Sequence, residues 1–128
     1  MSVTNGPNLG AMIDAAAGDA HPNELRKLLR MLDCFLPNLS VKSRSVTAQP
    51  TNPADGDRYI LAATHTGAAW GPATTGQIAY YSTHLTTTSN GTETTTSGWE
   101  FHTPKRNWEA RVEDESDAII RHNGVAWG

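Results

Sequence analysis

What most limits the fold of this chain is the spacing of large apolar residues in 23–36, NELRKLLRMLDCFL. Leu25, Leu28, Leu29, Leu32, Phe35 and Leu36 recur every three or four positions, which lines them along one side of an α-helix. Pro22 suits the first helical position, Glu24 puts a negative charge in the first turn, and Pro37 stops the helix. A helix this short is marginal alone in water, whereas each of these side chains is worth about 1.5–3 kcal/mol when fully buried. The stripe therefore needs a cover. Leu25, Leu28, Leu32 and Phe35 alternate by three and four like the a and d positions of a coiled coil. Two covers are open: further copies of the same helix, or the rest of its own chain.

The rest of the chain can supply only a modest core, since 38% of 128 residues are hydrophobic. A net charge of −3 argues against a nucleic-acid binder, because the one basic cluster, Arg26, Lys27 and Arg30, is offset by acids elsewhere. Cys34 is the sole cysteine, so no internal disulfide and no cysteine-built zinc site is expected. No apolar run approaches the roughly 20 residues of a membrane helix, and the N-terminus lacks a basic-then-apolar secretory pattern. A soluble product with no membrane insertion is the expectation.

The remaining signals divide the chain into 1–47, a docking arm with the amphipathic helix, and 48–128, an antiparallel β-domain. Residues 1–20 carry Asn5-Gly6-Pro7-Asn8 and the small-residue run Ala15-Ala16-Ala17-Gly18, with no apolar period, and read as an extended, flexible arm. Residues 37–53 are polar with three prolines and read as a connector. After the Asp55-Gly56 turn the period changes from 3.6 to 2. Trp99, Phe101 and Thr103 alternate with Glu100 and His102, and Trp108, Ala110 and Val112 alternate with Glu109, Arg111 and Glu113. Asn123-Gly124 suits a type I′ turn closing a last hairpin. Trp70 and Trp127 sit in matching Gly-rich pentads, with tryptophan as core plug. The threonine-rich segment 82–97 is balanced about Asn90-Gly91 and predicts a polar hairpin standing out from the body. The expected fold is α+β: arm, one amphipathic helix, and a small barrel- or sandwich-like antiparallel β-domain, assembled as a trimer.

The order of these residues resembles a family of uncharacterised domains found in bacteriophage and gene-transfer-agent virion proteins, notably tail-fibre and head-spike components. The resemblance runs through Asn23-Glu24-Leu25 with Leu32-Asp33, then Pro50, Pro53 and Gly56-Asp57-Arg58-Tyr59-Ile60. It continues with Thr66-Gly67-Ala68, Trp70-Gly71, Gly76-Gln77-Ile78-Ala79, Gly98-Trp99-Glu100-Phe101, Pro104, Trp108, Asp114-Glu115 and Ala126-Trp127. Here the stretch before the helix lacks the usual Gln and Lys, and the threonine-rich segment replaces a much shorter connection. The resemblance implies a structural role on the surface of a phage particle, made soluble in the host cytoplasm, with capsid, tail or fibre subunits as partners. It implies no catalytic residue.

Chemistry-bearing patterns are sparse. None of the five histidines makes a two-histidine metal spacing, Asp114, Glu115 and Asp117 read as a solvated bend, and no Gly-x-Ser-x-Gly elbow occurs. No enzyme activity, metal or cofactor is expected. The assembly residues are expected to be Leu25, Leu28, Leu29, Leu32, Phe35 and Leu36. In the alternative reading, a lectin-like module of a tail fibre, Trp70 and Trp127 would stack on a host-surface glycan.

Overall fold

The structure, a computed structural model, describes residues 4–5, 12–14, 20–35 and 38–128, with side chains for 22–35 and 38–128. Within the arm, β1 (Thr4–Asn5) and β2 (Met12–Asp14) form a short antiparallel ribbon; the remainder of the expected flexible arm lies outside the described residues, as do Leu36 and Pro37. Helix α1 is Ala20–Phe35. It starts two residues before Pro22, the first helical position expected from sequence. Pro22 stays within the first turn, where its missing N–H breaks no helical bond, but Glu24 falls beyond that turn. At the other end, Arg58 Nη1 donates to the carbonyls of Cys34 (2.7 Å) and Asn38 (3.4 Å), placing a cation at the negative end of the helix.

The expected α+β class holds. Strands β4 (Arg58–Ile60), β5 (Ile78–Ser89) and β6 (Thr92–His102) form one antiparallel sheet in that order. A second sheet has the order β3 (Ser40–Val41), β7 (Glu109–Val112), β8 (Ala118–Arg121), with β3 parallel to β7. Among the described residues no sheet closes into a barrel. Residues 38–49, read from sequence as part of a connector, are woven into the β-domain: Leu39, Val41 and Ser43 are buried, and Gln49 N donates to Thr66 O. Three prolines made the segment look like a linker, yet the apolar residues between them reach the core.

The threonine-rich hairpin forms, with Ser89 opposite Thr92 and Leu85 opposite Thr96 about a turn in which Asn90 and Gly91 both take positive φ. It is the outer half of β5 and β6, continuous with the inner half across an irregularity between Ser82 and Leu85. At that bulge Asp55 Oδ1 accepts from Thr83 N at 2.9 Å. The last hairpin closes differently from expectation. His122 pairs with Trp127, only Gly124 has positive φ, and the Asn123 carboxamide oxygen accepts from Val125 N and Ala126 N. A side-chain-capped four-residue loop replaces the type I′ turn.

Two apolar clusters result. One gathers Cys34, Leu39, Val41, Ile60, Ile78, Tyr80, Ala110, Val112 and Ile120, with Phe35, Trp108 and Trp127 packed against it. The other is Leu61, Trp70 and Ala79, ringed by Tyr59, Trp99 and Phe101. Ala110 and Val112 point inward while Glu109 and Arg111 face water, as their alternation predicts. On β6 the alternation misleads: Glu100 is largely and His102 fully withdrawn from water, because α1 lies on the face they share.

Candidate functional site

Helix α1 has two unlike sides. Toward β5 and β6 it places Cys34, packed in the apolar cluster, together with a ladder of polar side chains; Met31 is buried as well. Asn23 holds both backbone groups of Thr88, donating Nδ2 to its carbonyl (3.1 Å) and accepting its N–H (2.7 Å), which caps this edge of β5. Arg26 donates to Thr88 Oγ1 (2.7 Å) and to Glu93 (2.8 Å). Arg30 donates Nε and Nη2 to one oxygen of Glu100 at 3.1 and 2.7 Å, and the Tyr80 hydroxyl donates to Asp33 at 2.6 Å. The basic cluster of the sequence thus spends two of its three cations on the protein's own carboxylates.

These neighbours set the chemistry of the groups beneath the helix. Burial works to raise the Glu100 carboxyl, but Arg30 and the nearby His102 together hold it below the usual glutamate value. Burial, then the bond to Asp33, pushes the Tyr80 hydroxyl up, so it stays protonated as a donor. Burial drives the Cys34 thiol to about 12, with Arg58 opposing only in part, so it is inert as a nucleophile at neutral pH. Among the described residues no group of three His, Cys, Asp or Glu is placed to hold a metal ion. Nor does any helix there have the length and apolarity to cross a membrane.

The opposite side of α1 is bare. Leu25, Leu29 and Leu32 are 53%, 56% and 39% exposed, Leu28 is half-buried, and Phe35 has turned into the core, 4.9 Å from the ring of Trp108. Of the stripe, the protein's own β-domain takes up Phe35 and leaves Leu25, Leu29 and Leu32 facing water. The exposed residues follow a spacing of four then three, which is still a coiled-coil register but not the Leu25–Leu28–Leu32–Phe35 register expected from sequence. Leu36 lies outside the described residues.

The two tryptophans singled out from sequence sit differently. Trp70 is fully buried, with edge-on contacts to Tyr59 and Trp99 at 5.3 Å each, so neither ring face is open to a ligand. Gln49, unremarkable in sequence, positions it: its side-chain oxygen accepts from Ala69 N and Trp70 N, and a Cβ at Gly67 would come within 2.5 Å of Gln49. Trp127 is half-buried, its Nε1 donates to Gly76 O (2.8 Å), and its ring stands against His122. Its indole is engaged as a structural plug.

No curated protein matches the chain. Residues 27–128, from the second turn of α1 to the end, match the family described as protein of unknown function DUF2793. The match takes in the ion-paired half of the helix and every strand of both three-stranded sheets, and on that extent the chain belongs to the DUF2793 family.

Proposed function

We propose that this protein is a non-enzymatic structural component of a bacteriophage particle: a fibre or spike base, an adaptor, or a capsid-decorating head fibre. In this reading the arm and α1 dock it to capsid, tail or fibre subunits and to two further copies of itself, while the β-domain projects outward. The observation that carries it is the exposed row Leu25, Leu29 and Leu32 on a helix whose other side is already bonded to the β-domain. A helix anchored on one side and apolar on the other presents a rigid docking face, and burying three leucines there would contribute several kcal/mol to association. The placement on a phage particle rests on the resemblance of the ordered motif series to virion domains alone.

Native mass spectrometry of the full chain tests the assembly: a trimer is expected, and Leu32→Asp reduces it to a folded monomer. A wild-type monomer at micromolar concentration would sink the trimer. Antibody labelling of purified particles tests the placement, since a protein absent from the particle cannot be one of its parts.

A further inference from the structure

Residues 61–76 bring Leu61 and Trp70 into the second apolar cluster, with Ala69 and Ala73 packed against it. One side of this loop is held by bonds between groups that do not titrate. Thr66 N donates to Thr47 O at 2.8 Å, Gln49 N donates to Thr66 O at 3.0 Å, and the Gln49 side-chain oxygen accepts from Ala69 N and Trp70 N. The other side depends on His65. Its Nδ1 stands 2.6 Å from the carbonyl oxygen of Ala62 and its Nε2 stands 2.8 Å from that of Ala73, so one imidazole ties the start of the loop to its far end. The Ala73 carbonyl makes no other hydrogen bond among the described residues.

A carbonyl oxygen only accepts, so a ring nitrogen bonded to one must carry a proton. The neutral imidazole has a single N–H, whichever tautomer it adopts, and would set the lone pair of its other nitrogen against an oxygen at hydrogen-bond distance. The imidazolium donates at both ends, and such charge-assisted bonds are the stronger ones. We propose that His65 is a proton-operated staple: doubly protonated, it clamps Ala62 to Ala73 and shuts the loop over Trp70, and loss of one proton releases the Ala73 end. The bond to Ala62 is the one retained. It spans three residues, and Ala62 O already accepts His65 N at 3.3 Å, whereas the bond to Ala73 spans eight and must hold the loop closed. The segments that these bonds join carry no charge of their own, since His65 is the only titratable side chain in 45–53 and in 61–77. Tyr59, whose ring stands against Trp70 from β4, is kept neutral because burial pushes its hydroxyl up. His122 reaches the turn at Gly76 through Trp127, and burial holds its imidazole below the usual histidine value. The staple lies apart from α1 and does not rest on the assembly reading.

The test is proton–nitrogen NMR of the full chain from about pH 5 to about pH 8.5, across the range in which histidines change charge, with the His65 ring nitrogens and the backbone amides followed together. Both ring nitrogens are expected to carry protons at the acid end, and Nδ1 alone at the alkaline end. The amides of Gly71, Ala73 and Thr74 should shift along the same curve as the ring. Their exchange protection, corrected for the intrinsic effect of pH, should fall roughly tenfold or more as the ring loses its proton. Ala69 and Trp70, held by Gln49, should keep theirs. His65→Phe removes both donors but keeps a flat ring, and should leave the loop in its alkaline form at every pH. His65→Gln donates at one end only and should behave the same way, so the outcome does not hang on one variant. Loop amides that hold steady while the His65 ring changes protonation overturn the proposal. So does the same pH-dependent shift in His65→Phe, or a singly protonated ring that carries its proton on Nε2 and stays bonded to Ala73.

Discussion

The two sides of α1 invert the usual arrangement of an amphipathic helix. The side against its own strands carries Asn23, Arg26, Arg30 and Asp33 along with Cys34, while the side toward solvent carries Leu25, Leu29 and Leu32. The reason lies in what each turn of the helix meets. Its first turns cross the threonine-rich half of β5 and β6, which offers hydroxyls and the edge groups of Thr88, and those need hydrogen-bonding partners. Only its last turn reaches Ile78, Tyr80 and the apolar cluster, and there Cys34 and Phe35 face in. An apolar stripe thus identifies a helix without saying which side its own fold will cover.

Substitutions on the two sides should therefore behave oppositely within one helix. The largest effect is expected of Met31→Asp: an unpaired carboxylate at this buried position should cost about 4 kcal/mol in urea unfolding, close to loss of the fold. A loss below about 1 kcal/mol would mean that the helix is not seated as described. Arg30→Ala comes next, at about 2–3 kcal/mol, less than for a fully buried pair because some solvent reaches both partners. This loss depends on pH. Glu100 titrates below its ordinary value in the folded protein, so the stability the ion pair supplies is complete above about pH 4.5 and disappears as pH falls through the lowered value. Unfolding of wild type and Arg30→Ala should then differ most near neutrality and converge in acid; a gap that widens in acid would contradict the assignment.

Asn23→Ala should cost about 1–2 kcal/mol by freeing both backbone groups of Thr88. Faster amide exchange at Thr88, with none at Ile78, is the signature. The smallest effect on the folded single chain is expected of Leu29→Asp, within about 0.5 kcal/mol, together with loss of higher-mass species in native mass spectrometry. A stability loss as large as that of Met31→Asp would erase the distinction between the two sides.

Much of the fold was legible from local pattern. The helix, the turn at Asn90-Gly91 and the inward phase of Ala110 and Val112 follow from spacing and φ preferences, which neighbours in sequence decide. The burial of Glu100 and His102 was not legible, since alternation on β6 marks two faces and cannot foretell a helix lying over the polar one. The role of Gln49 was equally hidden, because its partners Ala69 and Trp70 lie twenty residues away.

The amino-acid sequence by itself determined where α1, the long strand pair and most turns form, because period and backbone preference act over a few neighbouring residues. Only the tertiary structure decided that the leucines of α1 stay in water while its arginines meet carboxylates on β6. That choice follows from the polar face the threonine-rich strands present to the helix, a property of surfaces that become neighbours only once the chain has folded.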